Sequence, residues 1–122
     1  MALRTVGGGE RYVGRQVLSL NGVSTASVRV PAGADAARIQ PQLWSTRTAS
    51  VLIVRGDDDA TAAQNELALD DREVLMDAFP AGDVIRFALV DSNGDAVNGG
   101  TNDRIAVVFY TNVAGRASRR VS

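Results

Sequence analysis

The 122-residue chain predicts an all-β fold: a single compact antiparallel β-sandwich or barrel-like domain of about 7–8 strands behind an extended N-terminal arm. Two observations lead there. Short segments of alternating apolar and polar residues recur about every ten positions, and Gly, Pro, Asn or Asp clusters separate them. The length is enough for a real core without a disulfide or structural metal, and the chain has no cysteine to form one.

Residues 1–15 read as the arm. Thr5-Val6-Gly7-Gly8-Gly9 holds three successive glycines, costly to order without a partner yet able to pass close to another surface. Tyr12, Val13 and the arginines Arg4, Arg11 and Arg15 make the arm an expected interaction element. The domain proper is expected over 16–112. Its strands begin with Gln16–Leu20, ended by Asn21-Gly22, and Ala26–Val30, ended by Pro31-Ala32-Gly33. Ala37–Gln40 runs to Pro41, and Val51–Val54 stops at Gly56-Asp57. Val84–Val90 and Arg104–Tyr110 alternate most clearly, which makes Phe87 and Phe109 core residues. Residues 113–122 form a basic C-terminal tail with Arg116, Arg119 and Arg120.

Asp58 to Phe79 is ambiguous. Its Ala, Leu, Glu and Met content, an acidic cap at Asp58 or Asp59 and a terminating Pro80 favour a helix. Against that, Asn65 and Asp70-Asp71 fall where turns would be, leaving Glu73–Asp77 as a strand of its own.

The stretch LVDSNGDAVNGGTND, Leu89 to Asp103, places Asp91, Asn93 and Asp95 at alternate positions, as a calcium loop would. Two features depart from that motif: Ala96 stands at the sharp-turn glycine, and Asn102 replaces the bidentate Glu at the twelfth position. Asp103 lies one place too far. Asn93-Gly94 suits a type I′ hairpin turn, and the turn is the expected reading. No metal or other cofactor is expected.

The absence of both histidine and cysteine removes the commonest general base, the commonest zinc ligand and thiol chemistry. A carboxylate pair such as Asp57 and Glu73 has no spacing that argues for acid–base work, so no enzymatic activity is expected. No apolar run is long enough to span a membrane, and MALRTVGGGERYVGR lacks a secretory signal's apolar segment, so a soluble protein without a cleaved signal is expected.

All thirteen basic residues are arginine. Residues 1–16 carry Arg4, Arg11 and Arg15 against Glu10, a net of +2, and residues 113–122 a net of +3. The middle, 17–112, holds seven Arg against thirteen acids, a net of −6, and the three sum to the overall −1. Basic ends on an acidic body point to segments that bind something acidic, a second copy included. Trp44, the only tryptophan, is read either as an interface anchor or sugar-stacking platform, or as a plug at one end of the sandwich. The run Gly56-Asp57-Asp58-Asp59 is read as a solvated loop able to face a basic arm.

The run VRVPAGADAARI, followed by SVLIVRGDDDATAAQNELALDDREVL, DVIRFALV and IAVVFY, resembles small all-β virion proteins of tailed bacteriophages. The residues that carry it are Val30 to Gly33, Thr61-Ala62, Leu69 to Glu73 and Ile85 to Phe87, over roughly 16–111. Asn65 stands where that pattern has a glycine, and Asp70-Asp71 where it has an Ala-Gly turn. The resemblance favours strand over helix in 58–79. It implies a capsid cement or decoration protein on the virion surface, made in the host cytoplasm. The expected partners are the major capsid protein and copies of itself, as a dimer or trimer, with no membrane and no direct nucleic-acid role. The alternative is a carbohydrate- or host-surface-binding β-module of a tail or fibre, with Trp44 as its platform.

Overall fold

Alternation along the sequence becomes two antiparallel sheets packed face to face. A computed structural model describes residues 10–55, 67–112 and 119–120. Its strands are β1 (Glu10–Ser19), β2 (Thr25–Arg29), β3 (Ala36–Gln42), β4 (Ser50–Arg55), β5 (Leu67–Asp70), β6 (Leu75–Ala78), β7 (Val84–Val90), β8 (Arg104–Asn112) and the two-residue β9 (Arg119–Arg120). The larger sheet has the order β1-β8-β3-β6-β9 and the smaller β2-β7-β4-β5. There is no helix among the described residues, and so none there long and apolar enough to cross a membrane.

The core lies between the sheets. From the larger sheet come Ala37, Ile39, Leu75, Ile105, Val107 and Phe109, and from the smaller Val28, Val51, Ile53, Leu69, Ile85, Phe87 and Leu89, all buried. Burying a side chain such as Phe87 contributes about 1.5–3 kcal/mol relative to leaving it in water. Loss of that contribution is what would expel a strand whose register slipped by one residue.

Residues 10–15, expected in the arm, are instead the first half of β1, with Glu10 opposite Asn112 and Tyr12 opposite Tyr110 on β8. A bulge between Tyr12 and Gly14 makes Val13 the extra residue, and Val13 packs against the core. Residues 1–9, with Arg4 and the three glycines, lie outside the described residues.

From Leu67 onward the ambiguous segment is strand, turn, strand. Leu69 on β5 and Leu75 on β6 are both buried, yet they belong to different sheets. The chain crosses from one layer to the other at Asp70–Val74, so pairing partners in two sheets override the helical propensity of the composition. The turn is closed by Glu73 N–H on the Asp70 carbonyl and by Asp70 N–H on Glu73 Oε1.

The Asp91–Asp95 hairpin is a turn, but of another type than the dipeptide suggests. Gly94 has φ of 86°, whereas Asn93 is not left-handed, so this is not a type I′ turn. Gly94 N–H reaches the Asp91 carbonyl and Asp91 N–H the Asp95 carbonyl, the pattern of a three-residue loop with glycine at its end. Asp91 Oδ1 accepts the N–H groups of Asn93 and Asp95, which holds Asn93 in the right-handed part of the turn.

Candidate functional site

β8 starts one residue after the most constrained side chain of the described structure. Asp103 continues the inward register of Ile105, Val107 and Phe109 and is 1% exposed, the sole buried charged residue among those described. Its Oδ1 accepts Trp44 N–H at 2.6 Å and Ser45 N–H at 2.8 Å. Its Oδ2 accepts Gly100 N–H at 2.7 Å and the Thr46 hydroxyl at 3.0 Å. Burial pushes this carboxyl up, and the bonds from Gly100, Trp44, Ser45 and Thr46 more than offset it, leaving the pKa below the ordinary carboxylate value. Its carbonyl accepts Leu20 N–H at 2.9 Å, so one residue ties together the end of β1, the loop after β3 and the start of β8.

The glycines before it permit that convergence. A Cβ on Gly99 would sit 2.5 Å from the Leu20 carbonyl oxygen, and one on Gly100 would sit 2.4 Å from Ser45 Oγ. The break at Asn98-Gly99-Gly100 is thus a place of close approach.

The loop so clamped presents Trp44, which is 58% exposed with the Arg47 guanidinium 4.3 Å from its ring centroid. A second carboxylate holds the residue before it, Asp71 Oδ1 accepting Leu43 N–H at 2.8 Å. Beside the indole is a groove of about 340 Å³ lined by Gln42, Leu43, Trp44, Arg72, Asn102 and Arg104. Arg72 has φ of 72°, the one non-glycine left-handed residue described. Its N–H donates to the Pro41 carbonyl at 2.9 Å and its carbonyl accepts Gln40 Nε2 at 3.2 Å, so the strained backbone is held from both sides. Arg104 Nε donates to Gln42 Oε1 at 3.2 Å.

A second surface lies on the outward face of the larger sheet. Its rows run across the strands: Tyr12, Tyr110, Ala36; then Arg15, Val108, Arg38, Met76; then Val17, Ala106, Gln40. Tyr12 is 65% and Val17 43% exposed. Between the Tyr12 row and the Ser19 row no outward position carries an acid, and neither Arg15 nor Arg38 is paired with a carboxylate among the described residues.

Of the residues singled out in the sequence, Arg11, Tyr12, Arg15, Arg119 and Arg120 belong to this sheet but lie at its opposite edges. The first three lie on its β1 edge and the last two on its β9 edge, where Leu75 pairs with Arg120 and Met76 with Arg119. The domain boundary expected at 112 is therefore crossed by the pairing of 119–120. Trp44 stands apart, exposed at the Asp103 corner. Arg4, Gly7, Gly8, Gly9 and Arg116 lie outside the described residues, as do Asp57 to Asp59. Asp103, Arg72 and Arg38 are additions that sequence reasoning missed. For Asp103 a signal existed, since a carboxylate in the inward register of a strand must find donors. Comparison with protein-family models, curated proteins and solved structures finds no match.

Proposed function

We propose that this chain is a non-enzymatic virion structural protein of a tailed bacteriophage, a capsid cement or decoration protein that binds the outer capsid lattice as a homo-oligomer. One observation carries the reading beyond the sequence resemblance. The Arg-rich ends of the chain contribute the two edge strands of one sheet, and that sheet's outward face sets exposed Tyr12 and Val17 among Arg15 and Arg38 with no acid between them. Guanidinium groups flanked on either side by exposed apolar groups suit adhesion to an acidic protein surface: the aromatic and aliphatic groups supply contact area and the arginines supply register. Repeated around an oligomer, modest contacts of this kind add by multivalency.

The test is co-sedimentation with empty heads of the phage that encodes this chain, over a salt series. The full chain is expected to pellet with the heads, while Tyr12→Ala combined with Arg15→Ser and Arg38→Ser releases it. Because exposed charges are screened beyond about 8 Å at physiological ionic strength, the arginine changes alone should flatten the salt dependence. Heads that bind the triple variant as tightly as the parent overturn the assignment of this face, and heads that bind neither overturn the function.

A further inference from the structure

The groove at the Asp103 corner opens at the end of the same sheet face, where Gln42 and Arg104 form the outward row next to that of Val17, Ala106 and Gln40, and its chemistry is different. We propose that it is a binding site for an acidic saccharide, with a sugar ring lying against Trp44 and the sugar carboxylate taken by Arg72 and Arg104.

Four features of the groove support this. First, the backbone that carries the indole is fixed before any ligand arrives, since the N–H groups of Leu43, Trp44 and Ser45 are all bound to carboxylates, of Asp71 and Asp103, at 2.6–2.8 Å, and the Arg47 guanidinium lies over one face of the ring at 4.3 Å. A loop held in this way needs no reordering of its main chain on binding. Second, the groove is lined by two guanidinium groups, two amides, Leu43 and the indole, and of the two carboxylates only Asp71 approaches a guanidinium, that of Arg72. Third, the guanidinium groups are restrained. Arg72 projects from a left-handed backbone pinned by Pro41 and Gln40, and its 62% exposed side chain sets Nε 3.6 Å from Asp71 Oδ1, an ion pair that leaves its terminal nitrogens for the groove's ligand. Arg104 spends Nε on Gln42 and keeps its two terminal nitrogens. Fourth, a volume of about 340 Å³ is at the small end of ligand sites, which run from ~300 to ~1,000 Å³.

Ligand class follows from this set. Planar guanidinium forks match a carboxylate in bidentate geometry, which a neutral sugar cannot use. The indole face opposite Arg47 suits the C–H face of a pyranose ring, and the Gln42 and Asn102 amides can both donate to and accept from hydroxyls. Uronates and sialates share this chemistry. An acidic peptide would engage the arginines and amides through its carboxylates and main chain but offers the indole no ring face, and a triglutamate peptide that binds as tightly as the acidic sugars overturns the saccharide assignment.

Because Trp44 is the sole tryptophan, its fluorescence reports the groove alone. The probes are a galacturonate trisaccharide, sialyllactose, the neutral galactose trisaccharide, the triglutamate peptide, and sodium sulfate at matched ionic strength. One or both acidic sugars are expected to change the emission saturably, and the neutral trisaccharide to bind at least about tenfold more weakly. Arg72→Ser with Arg104→Ser should lower acidic-sugar affinity by at least about tenfold while the far-UV spectrum stays that of the parent. Trp44→Phe, followed by calorimetry, should weaken binding while keeping the fold. Equal binding of neutral and acidic trisaccharides overturns the proposal, as does a full response to sulfate alone. No response to either acidic sugar up to about 10 mM, a free energy below ~3 kcal/mol, overturns it too. Capsid attachment is untouched by any of these outcomes.

Discussion

Asp91 and Asp103 each accept backbone N–H groups at a turn, yet they stabilise different things. Asp91 reaches Asn93 and Asp95, at 2.9 and 3.0 Å, inside its own exposed turn. Asp103 reaches across to Trp44, Ser45 and Thr46, from full burial. Water can replace the first set of bonds at little cost. Water replaces the second set less well, because the bonds are half-buried and four donors converge on one buried carboxylate. The same residue type is a local turn former in one place and a tertiary clamp in the other, and burial decides which.

The largest expected effect separates the two. Asp103→Ala strands the half-buried N–H groups of Trp44, Ser45 and Gly100 and should destabilise the fold by about 2–4 kcal/mol, whereas Asp91→Ala should cost about 0.5–1 kcal/mol. Urea denaturation of both variants measures this, and equal costs would break the contrast. Acid sharpens it. The folded pKa of Asp103 is depressed, so its contribution is complete above the ordinary carboxylate value and is lost as pH falls through the folded value. Asp103→Asn removes that titration, so its stability deficit relative to the parent should shrink steadily below about pH 4. A deficit independent of pH would mean that Asp103 does not titrate with unfolding.

Next in size are the glycines of the same two turns. Gly99→Ala drives a Cβ to 2.5 Å from a backbone oxygen, so the chain at Leu20 must shift, at about 1–3 kcal/mol. Gly94→Ala meets open space and loses only because φ is 86°, at about 1 kcal/mol. An Asn at each position distinguishes the causes: Asn tolerates the left-handed region and should largely rescue position 94, but being larger it should make position 99 worse than Ala. Thermal melts of the four variants give the ordering, and rescue at 99 would show that its constraint is not steric.

What the sequence made legible follows the same division between local and distant. The strands over 16–20, 26–30, 37–40, 51–54, 84–90 and 104–110 are read from period-two alternation, because burial of one face imprints it directly. Asn21-Gly22 and Asn93-Gly94 mark turns for a reason contained in the dipeptide, although the exact turn type at 93–94 depended on the Asp91 carboxylate. The assembly of distant pieces left no such imprint. Nothing in 10–15 or 119–120 says that they flank one sheet, and nothing near residue 44 announces a partner at 103. Left-handed Arg72 was hidden as well, because the reason for its geometry is the pull of Pro41 and Gln40 from β3. The candidate groove is built wholly from such pairings, whereas the sheet face was half visible through Tyr12 and the clustered arginines.

The smallest expected effect is none, and it bears on Asp91 itself. If the alternate acids of 91–95 formed a cation site, carboxylate oxygens would have to converge on one point. Instead one Asp91 oxygen is occupied by two backbone N–H groups, and the turn is closed by main-chain bonds between Asp91, Gly94 and Asp95. A cation would have to compete with those donors for the oxygen, and the motif's glycine and terminal Glu are replaced by Ala96 and Asn102. The melting temperature should therefore be the same in EDTA and in millimolar calcium. An ion bound only to the folded state at about 100 times its dissociation constant would add roughly 2.7 kcal/mol, easily seen in a domain of this size. A calcium-dependent rise that Asp91→Ala abolished would make this turn a cation site and remove the contrast with Asp103, since both aspartates would then hold their surroundings through a partner beyond their own turn.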